Sequence, residues 1–259
     1  MSKNTPEVVP DKIDSPISLK IITLIIASAI SFHFGGYFFL GSEDFELATS
    51  IFSIASPLIT GIAAATIATR YIFSKIFFRA YLCLAIAYVC AGIGEILFIL
   101  YDYVLGEPAF PSVADLFFIP FYPLVLVHLV LNISFFRTKF NPKTIIWMST
   151  LPIAIMILYL NLAWGTERDA QFFLSIYYIA VSSIALTMTI YGASVFRQGV
   201  LGKAWLLLLF GIIPFSAADL IYYYIETEYG YTLDHPVNLL WYAGYWIVIY
   251  ALYKHKKIL

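Results

Sequence analysis

Eight stretches of about 20 mostly apolar residues follow one another along the chain, each long enough to cross the hydrocarbon core of a bilayer as a helix. To within a few residues they cover 17–40, 47–69, 77–102, 113–136, 144–164, 170–195, 203–225 and 236–253. Of the 259 residues, 61% are hydrophobic and 12% charged, about half the roughly 25% charge of soluble proteins. So little charge cannot cover the surface of a water-soluble globule. A cytosolic enzyme, a nucleic-acid binder and a disordered chain are excluded on that ground. The pieces between the runs are too short to fold alone, the longest being the polar segment 1–16, so any chemistry belongs to the bundle or its short loops. The expected fold is all-α: a polytopic integral membrane protein with eight transmembrane helices. Residues 1–16 lack the basic start of a signal peptide, and the first apolar run is longer than a signal core, so that run is read as a retained helix.

Lysine and arginine concentrate on the cytoplasmic side of membrane proteins. With the N-terminus inside, Lys3, Lys12, Lys20 and the basic residues of 70–79, 137–143, 197–203 and 254–257 all fall inside. Only Arg168 falls outside, which leaves 14 of the 15 basic residues on one side. The acids do the reverse: Glu43, Asp44, Glu46, Glu107, Glu167, Asp169, Glu226, Glu228 and Asp234 fall in outer loops or at outer helix ends. A wrong helix count would scramble both patterns. The reading is a multi-pass protein of the cell (plasma) membrane with both termini cytoplasmic, 1–16 forming an N-terminal tail and 254–259 a basic tail.

The third and seventh runs, with the loops after them, align at an offset of 124: Glu95 with Asp219, Asp102 with Glu226, Gly106 with Gly230. One residue of adjustment aligns Asp115 with Asn238 and Tyr122 with Tyr245. The expected organisation is therefore two four-helix repeats, 17–136 and 144–253. Because four is even, both face the same way, related by an axis along the membrane normal. The alternative is fortuitous likeness between two aromatic hairpins.

Ionisable residues within a span are expensive unless they face the bundle or water, which makes them functional candidates. Glu95 and Asp219 lie at matching depth, and Asp102 and Glu226 follow each by seven residues. In the seventh run Ser216, Asp219, Tyr223 and Glu226 form a polar stripe at helical spacing. Asp115 opens the fourth span, where it either belongs to a site or caps the helix after Pro111-Ser112. Glu95 and Asp219 either line an outer cavity or form a structural pair held by tyrosines. The expectation is that Glu95, Asp102, Asp115, Asp219 and Glu226 converge on one cavity open to the outer side, closed by Tyr101, Tyr122, Tyr223 and Tyr245. Most of the other aromatic residues near the outer ends, including Tyr103, Tyr222, Tyr224, Tyr229, Tyr231, Trp164 and Trp241, read as an interfacial belt. His33, His128, His235 and His255 differ too much in depth for an obvious metal cluster; His235 with Asp219 or Glu226 is the one zinc arrangement left open. No metal or cofactor is expected. Cys83 and Cys90, seven apart on one helix, sit too far from each other for a disulfide.

The run PSVADLFFIPFYPLVLVHL, preceded by Gly94-Glu95 and an acidic loop, resembles the membrane-embedded N-terminal sensor regions of bacterial diguanylate cyclases and related signalling proteins. The residues that carry the likeness are Gly94-Glu95, Pro108, Pro111-Ser112, Ala114-Asp115 and Tyr122-Pro123. Ala218-Asp219, Gly230, Asp234 and Tyr245 add a similar closing hairpin. The likeness covers about half the chain; Glu95 stands where those regions usually carry Asp, and the sequence contains no cyclase or kinase output domain. It implies a sensor-like or scaffold module, not an enzyme, whose partners are the bilayer and a separate membrane or signalling protein. A weaker likeness, through Gly94-Glu95 and Ser216-Ala217-Ala218-Asp219, is to lysoplasmalogenase-type eight-helix membrane hydrolases. Two other functions stay open: a small proton-coupled transporter using Glu95 and Asp219, and a lipid hydrolase in which an acid pair activates water. Against the hydrolase, no nucleophile or convergent histidine set accompanies the carboxyls.

Overall fold

The computed structural model describes residues 18–136, 142–196 and 202–258, and every regular element in them is helical. In order these are α1 (Leu19–Phe39), α2 (Ser42–Arg70), α3 (Lys75–Ile99), a π-helical segment (Leu100–Leu105), α4 (Asp115–Phe118), α5 (Phe121–Phe136), α6 (Pro142–Leu162), α7 (Ala170–Phe196), α8 (Gly202–Glu228) and α9 (Asn238–Ile258). The tail 1–16 and the basic residues Lys3, Lys12, Arg137, Lys139 and Arg197 lie outside the described residues.

Among the described residues six spans are long and apolar enough to cross a membrane: α1, α2, α3 with its π-helical extension, α4 with α5, α7, and the Leu206–Glu226 part of α8. The sequence reading counts eight. The apolar part of α6 is shorter, Ile146–Leu162. In α9 tyrosines, tryptophans and a basic end lower the hydropathy of 21 helical residues. Large apolar side chains such as Leu19, Phe38, Phe39, Phe73 and Trp147 point outward with most of their surface exposed. A surface of this kind suits acyl chains, and the helices satisfy their own backbone hydrogen bonds, as a bilayer requires.

Local chemistry accounts for the ends. Glu43 and Asp44 sit in the first turn of α2 and Arg70 in its last, each favoured by the helix dipole. The Ser74 hydroxyl accepts the Phe77 N–H at 3.4 Å and caps α3. Two helices end on left-handed glycines, Gly106 (φ 63°) after the π-helical segment and Gly230 (φ 77°) after α8, a conformation that disfavours residues with a Cβ.

The fourth span is broken at Ile119–Pro120 rather than continuous over 113–136. Pro120 and Pro123 each lack an N–H, so the carbonyls four residues earlier lose their helical donors. The Ile119 carbonyl, freed by Pro123, accepts the Tyr177 hydroxyl from α7 at 2.8 Å. The break is thus repaired from a neighbouring helix.

Packing has a paired pattern. α2 lies against α3 and α9, and α7 lies against α8 and α5; α1 packs on α9 and α6 on α7. Glycines bring backbones together where the tightest pairs cross, as small residues do between membrane helices. A Cβ on Gly61 would lie 3.2 Å from the Ala85 carbonyl oxygen, and one on Gly211 would lie 2.9 Å from the Val248 nitrogen. The larger core runs through Phe77, Tyr81, Leu84, Tyr88, Leu129 and Val248. A second cluster, with Phe110, Tyr178, Tyr222 and Tyr223, sits at the end of the bundle that carries the 106–114 and 229–237 loops. A cavity lies against this second cluster.

Candidate functional site

A cavity of about 100 Å³ is lined by Glu95 of α3, Asp115 of α4, Tyr122 of α5, Tyr178 of α7, Asp219 and Tyr223 of α8, and Trp241 and Tyr245 of α9. It has room for several waters or one small organic molecule. Twelve of its twenty lining residues are aromatic, and Glu95, Asp115 and Asp219 are the three that carry formal charge. With Ser53 of α2, seven helices contribute, so no single element makes the site.

Each carboxyl is held differently. Asp219 accepts the Tyr122 hydroxyl on Oδ2 and the Trp241 indole N–H on Oδ1, both at 2.6 Å. One side chain therefore ties α5, α8 and α9 together. Asp115 accepts the Tyr178 hydroxyl on Oδ1 at 2.7 Å and the Ser112 backbone N–H on Oδ2 at 2.8 Å. The two readings of Asp115 meet here: it closes the turn at the head of α4 and also faces the cavity. Glu95 is different, because no group among the described residues donates a hydrogen bond to it. Ser53, on α2, lines the same cavity, and Pro57 leaves its carbonyl without the usual helical donor.

Asp102 and Glu226 do not line this cavity. They line a neighbouring one of about 320 Å³, together with Glu46 and Tyr103. The two cavities share Phe98, Ala109, Phe110, Tyr231 and Leu233 as a common wall. The single five-carboxyl cavity expected from sequence is thus two adjoining spaces, three acids deep and two nearer the loops. The reason is geometric. Two helical turns place Glu226 about 10 Å beyond Asp219 along α8. Asp102 falls in the π-helical segment Leu100–Leu105, where the wider turn breaks the seven-residue register with Glu95. Tyr103 donates its hydroxyl to Glu46 across that outer space.

Of the tyrosines expected to close the cavity, Tyr122, Tyr223 and Tyr245 line it and Tyr101 does not. Tyr222, Tyr231 and Trp241, read from sequence as part of an interfacial belt, also line it; Tyr103, Tyr229 and Trp164 are exposed. The signal that could have separated them is weak: Trp241 falls three residues after Asn238, one helical turn on, at the buried start of α9. Tyr178, the partner of Asp115, carries no sequence signal, because it sits inside an unbroken apolar run.

The 229–237 loop is pinned over the site. Glu226 accepts the Tyr231 backbone N–H at 2.8 Å, Tyr231 donates its hydroxyl to Asn238 at 2.7 Å, and Asn238 donates to the Leu233 carbonyl at 2.7 Å. Burial raises the Tyr231 phenol well above its ordinary pKa, so it stays a donor in neutral solution. His235 serves the same loop, accepting the Val237 N–H at 3.1 Å. Among the described residues no three His, Cys, Asp or Glu side chains are grouped to hold a metal ion. Cys83 and Cys90 are free thiols.

Comparison of the chain with protein families, with curated proteins and with solved structures finds no match. The geometry of the site is therefore the basis for a function.

Proposed function

We propose that the chain is an eight-span module of the plasma membrane, both termini cytoplasmic, that binds a small ligand in this cavity from the outer side. Occupancy is reported to a separate membrane or signalling protein. One observation carries the reading: three carboxyls and a shell of aromatic side chains from six helices line one small cavity, and among the described residues no histidine or cysteine lines it to activate the Ser53 hydroxyl or to act as a nucleophile. That is the form of a binding site with specificity, and ligand contacts on helices from both halves give binding a means to shift helix packing. The likeness of Gly94-Glu95, Pro111-Ser112, Ala114-Asp115 and Tyr122-Pro123 to the sensor regions of diguanylate cyclases points the same way.

Two four-helix repeats, 17–136 and 144–253, are part of this proposal. Two features favour them. The left-handed glycines Gly106 and Gly230, 124 residues apart in sequence, terminate the helices of the paired acids. The packing of α2 on α3 and α9 also has its counterpart in the packing of α7 on α8 and α5. The eight-span count, the cytoplasmic termini and the outward direction of the cavity rest on the distribution of basic residues.

Tags on both termini should be digested by protease only after sealed right-side-out vesicles are permeabilised; digestion of either tag in intact vesicles contradicts the topology. For the function, gentle solubilisation should recover a partner whose yield changes when Ala91→Phe fills the cavity. Ala91 lines it and is 3% exposed, so the thermal midpoint of the variant is measured alongside. A monomer in every preparation, or a partner indifferent to a folded Ala91→Phe, contradicts the sensor reading.

A further inference from the structure

We propose that the ligand of this cavity is a small organic ammonium ion, an inference that rests on the binding role proposed above and names its chemistry. Three features of the lining converge on it. The first is charge. Glu95, Asp115 and Asp219 line the cavity, Glu46, Asp102 and Glu226 line the adjoining one, and among the described residues neither lining contains a Lys, Arg or His. An anion is repelled along the whole approach, whereas a cation is concentrated by it, as charged clefts with low-dielectric walls do.

The second feature is how the carboxyls are partnered. Asp219 and Asp115 each already accept two hydrogen bonds. Glu95 accepts none from the described residues. Tyr245 and Tyr222, 5% and 8% exposed, line the same cavity, and neither hydroxyl is hydrogen-bonded among the described residues. A half-buried acid and the hydroxyls of two buried tyrosines, all lining the cavity and without partners among the described residues, leave hydrogen-bonding capacity for a guest to use. A neutral apolar guest leaves it unused. An ammonium group uses it, pairing with Glu95 and, where it carries N–H bonds, donating to the hydroxyls.

The third feature separates an organic cation from a metal ion. Calcium takes six to eight oxygen ligands, and magnesium demands octahedral oxygen geometry. Here most of the lining is aromatic carbon, and no group of acids is placed to hold a metal among the described residues. Tyrosine and tryptophan faces attract a desolvated alkylammonium through the ring quadrupole, the arrangement that recognises quaternary ammonium groups elsewhere. The ammonium could be carried by a free amine or by a lipid headgroup.

Calorimetric titration of the protein in phosphatidylglycerol nanodiscs with choline, tetramethylammonium and ethanolamine tests this, with 3,3-dimethylbutan-1-ol as the uncharged analogue of choline. At least one ammonium should bind, and about tenfold or more tighter than the uncharged analogue. Glu95→Gln should weaken it by a similar factor, with Tyr245→Phe as a second variant and thermal midpoints as the check on folding. Nanodiscs with phosphatidylethanolamine should compete if the headgroup is the source, and leave the titration unchanged if a free amine is. Equal binding of choline and its uncharged analogue overturns the ammonium assignment while leaving a ligand-binding cavity standing. Absence of binding by all three cations overturns the assignment too, and the response of the partner to Ala91→Phe then decides the sensor reading separately.

Discussion

Asp219→Ala is expected to lower the stability of the purified protein by about 2 kcal/mol, with Asp219→Asn losing about half as much. The carboxylate is the shared acceptor of Tyr122, 2% exposed, and of Trp241. Removing it strands a phenol and an indole N–H inside the bundle. An unsatisfied buried donor costs about 1–3 kcal/mol in soluble proteins. Hydrogen bonds between membrane helices average about 0.6 and reach about 1.7 kcal/mol. The lower scale applies here, because the cavity beside Asp219 lets water reach the stranded groups; two bonds on it span about 1–3 kcal/mol, and the figure above is the middle of that range. Asparagine keeps one acceptor but turns an amide NH₂ toward the other donor. Thermal midpoints of the three proteins in one detergent check this; an alanine variant as stable as the asparagine one contradicts the shared-acceptor arrangement.

The second large effect is at the crossing of α8 and α9. A Cβ on Gly211 would stand 2.5 Å from Val248 Cγ2, 2.9 Å from the Val248 nitrogen and 3.0 Å from the Gly244 carbonyl oxygen. The valine side chain could move, but the backbone atoms cannot without separating the helices. Alanine is favoured over glycine in a helix by about 1 kcal/mol. Overpacking costs about 1–3 kcal/mol or occasionally more, so the clash wins. With two backbone atoms in the clash the upper part of that range applies, so Gly211→Ala is expected to lose about 1–2 kcal/mol net and Gly211→Val more. Gly35, in α1, has nothing within 4 Å of an added Cβ; Gly35→Ala should leave the thermal midpoint unchanged or raise it. If Gly211→Ala and Gly35→Ala behave alike, the close approach of α8 and α9 is wrong.

Much of the helical order is legible in the sequence, because apolar runs bounded by charged turns have one low-energy answer in a bilayer. What escapes is where a helix departs from regularity. The π-helical turn at Leu100–Leu105 carries no residue that announces it, and through it Asp102 leaves the face of Glu95. The break at Ile119–Pro120 is visible as two prolines, Pro120 and Pro123, but its repair by Tyr177 requires knowing that α7 lies alongside. The carboxyls stand out because acids are rare in spans; their partners do not. Tyr178 and Trp241 look like any aromatic residue in an apolar or interfacial run, and only packing shows that they donate to Asp115 and Asp219. Hydropathy likewise cannot say whether α6 and α9 cross the membrane, since aromatic and basic residues dilute the signal in α9.

The proposed cavity is lined by acids, opens outward and admits cations. Ser53 lines it from α2, and Ser53→Cys changes one atom. With Cys83 and Cys90 replaced by alanine, the introduced thiol is the only one. In sealed right-side-out vesicles a methanethiosulfonate bearing a trimethylammonium group should label it on the order of tenfold faster than the sulfonate-bearing reagent, and choline should slow the reaction. Equal rates for the two charges, or labelling that needs permeabilised vesicles, would contradict the account.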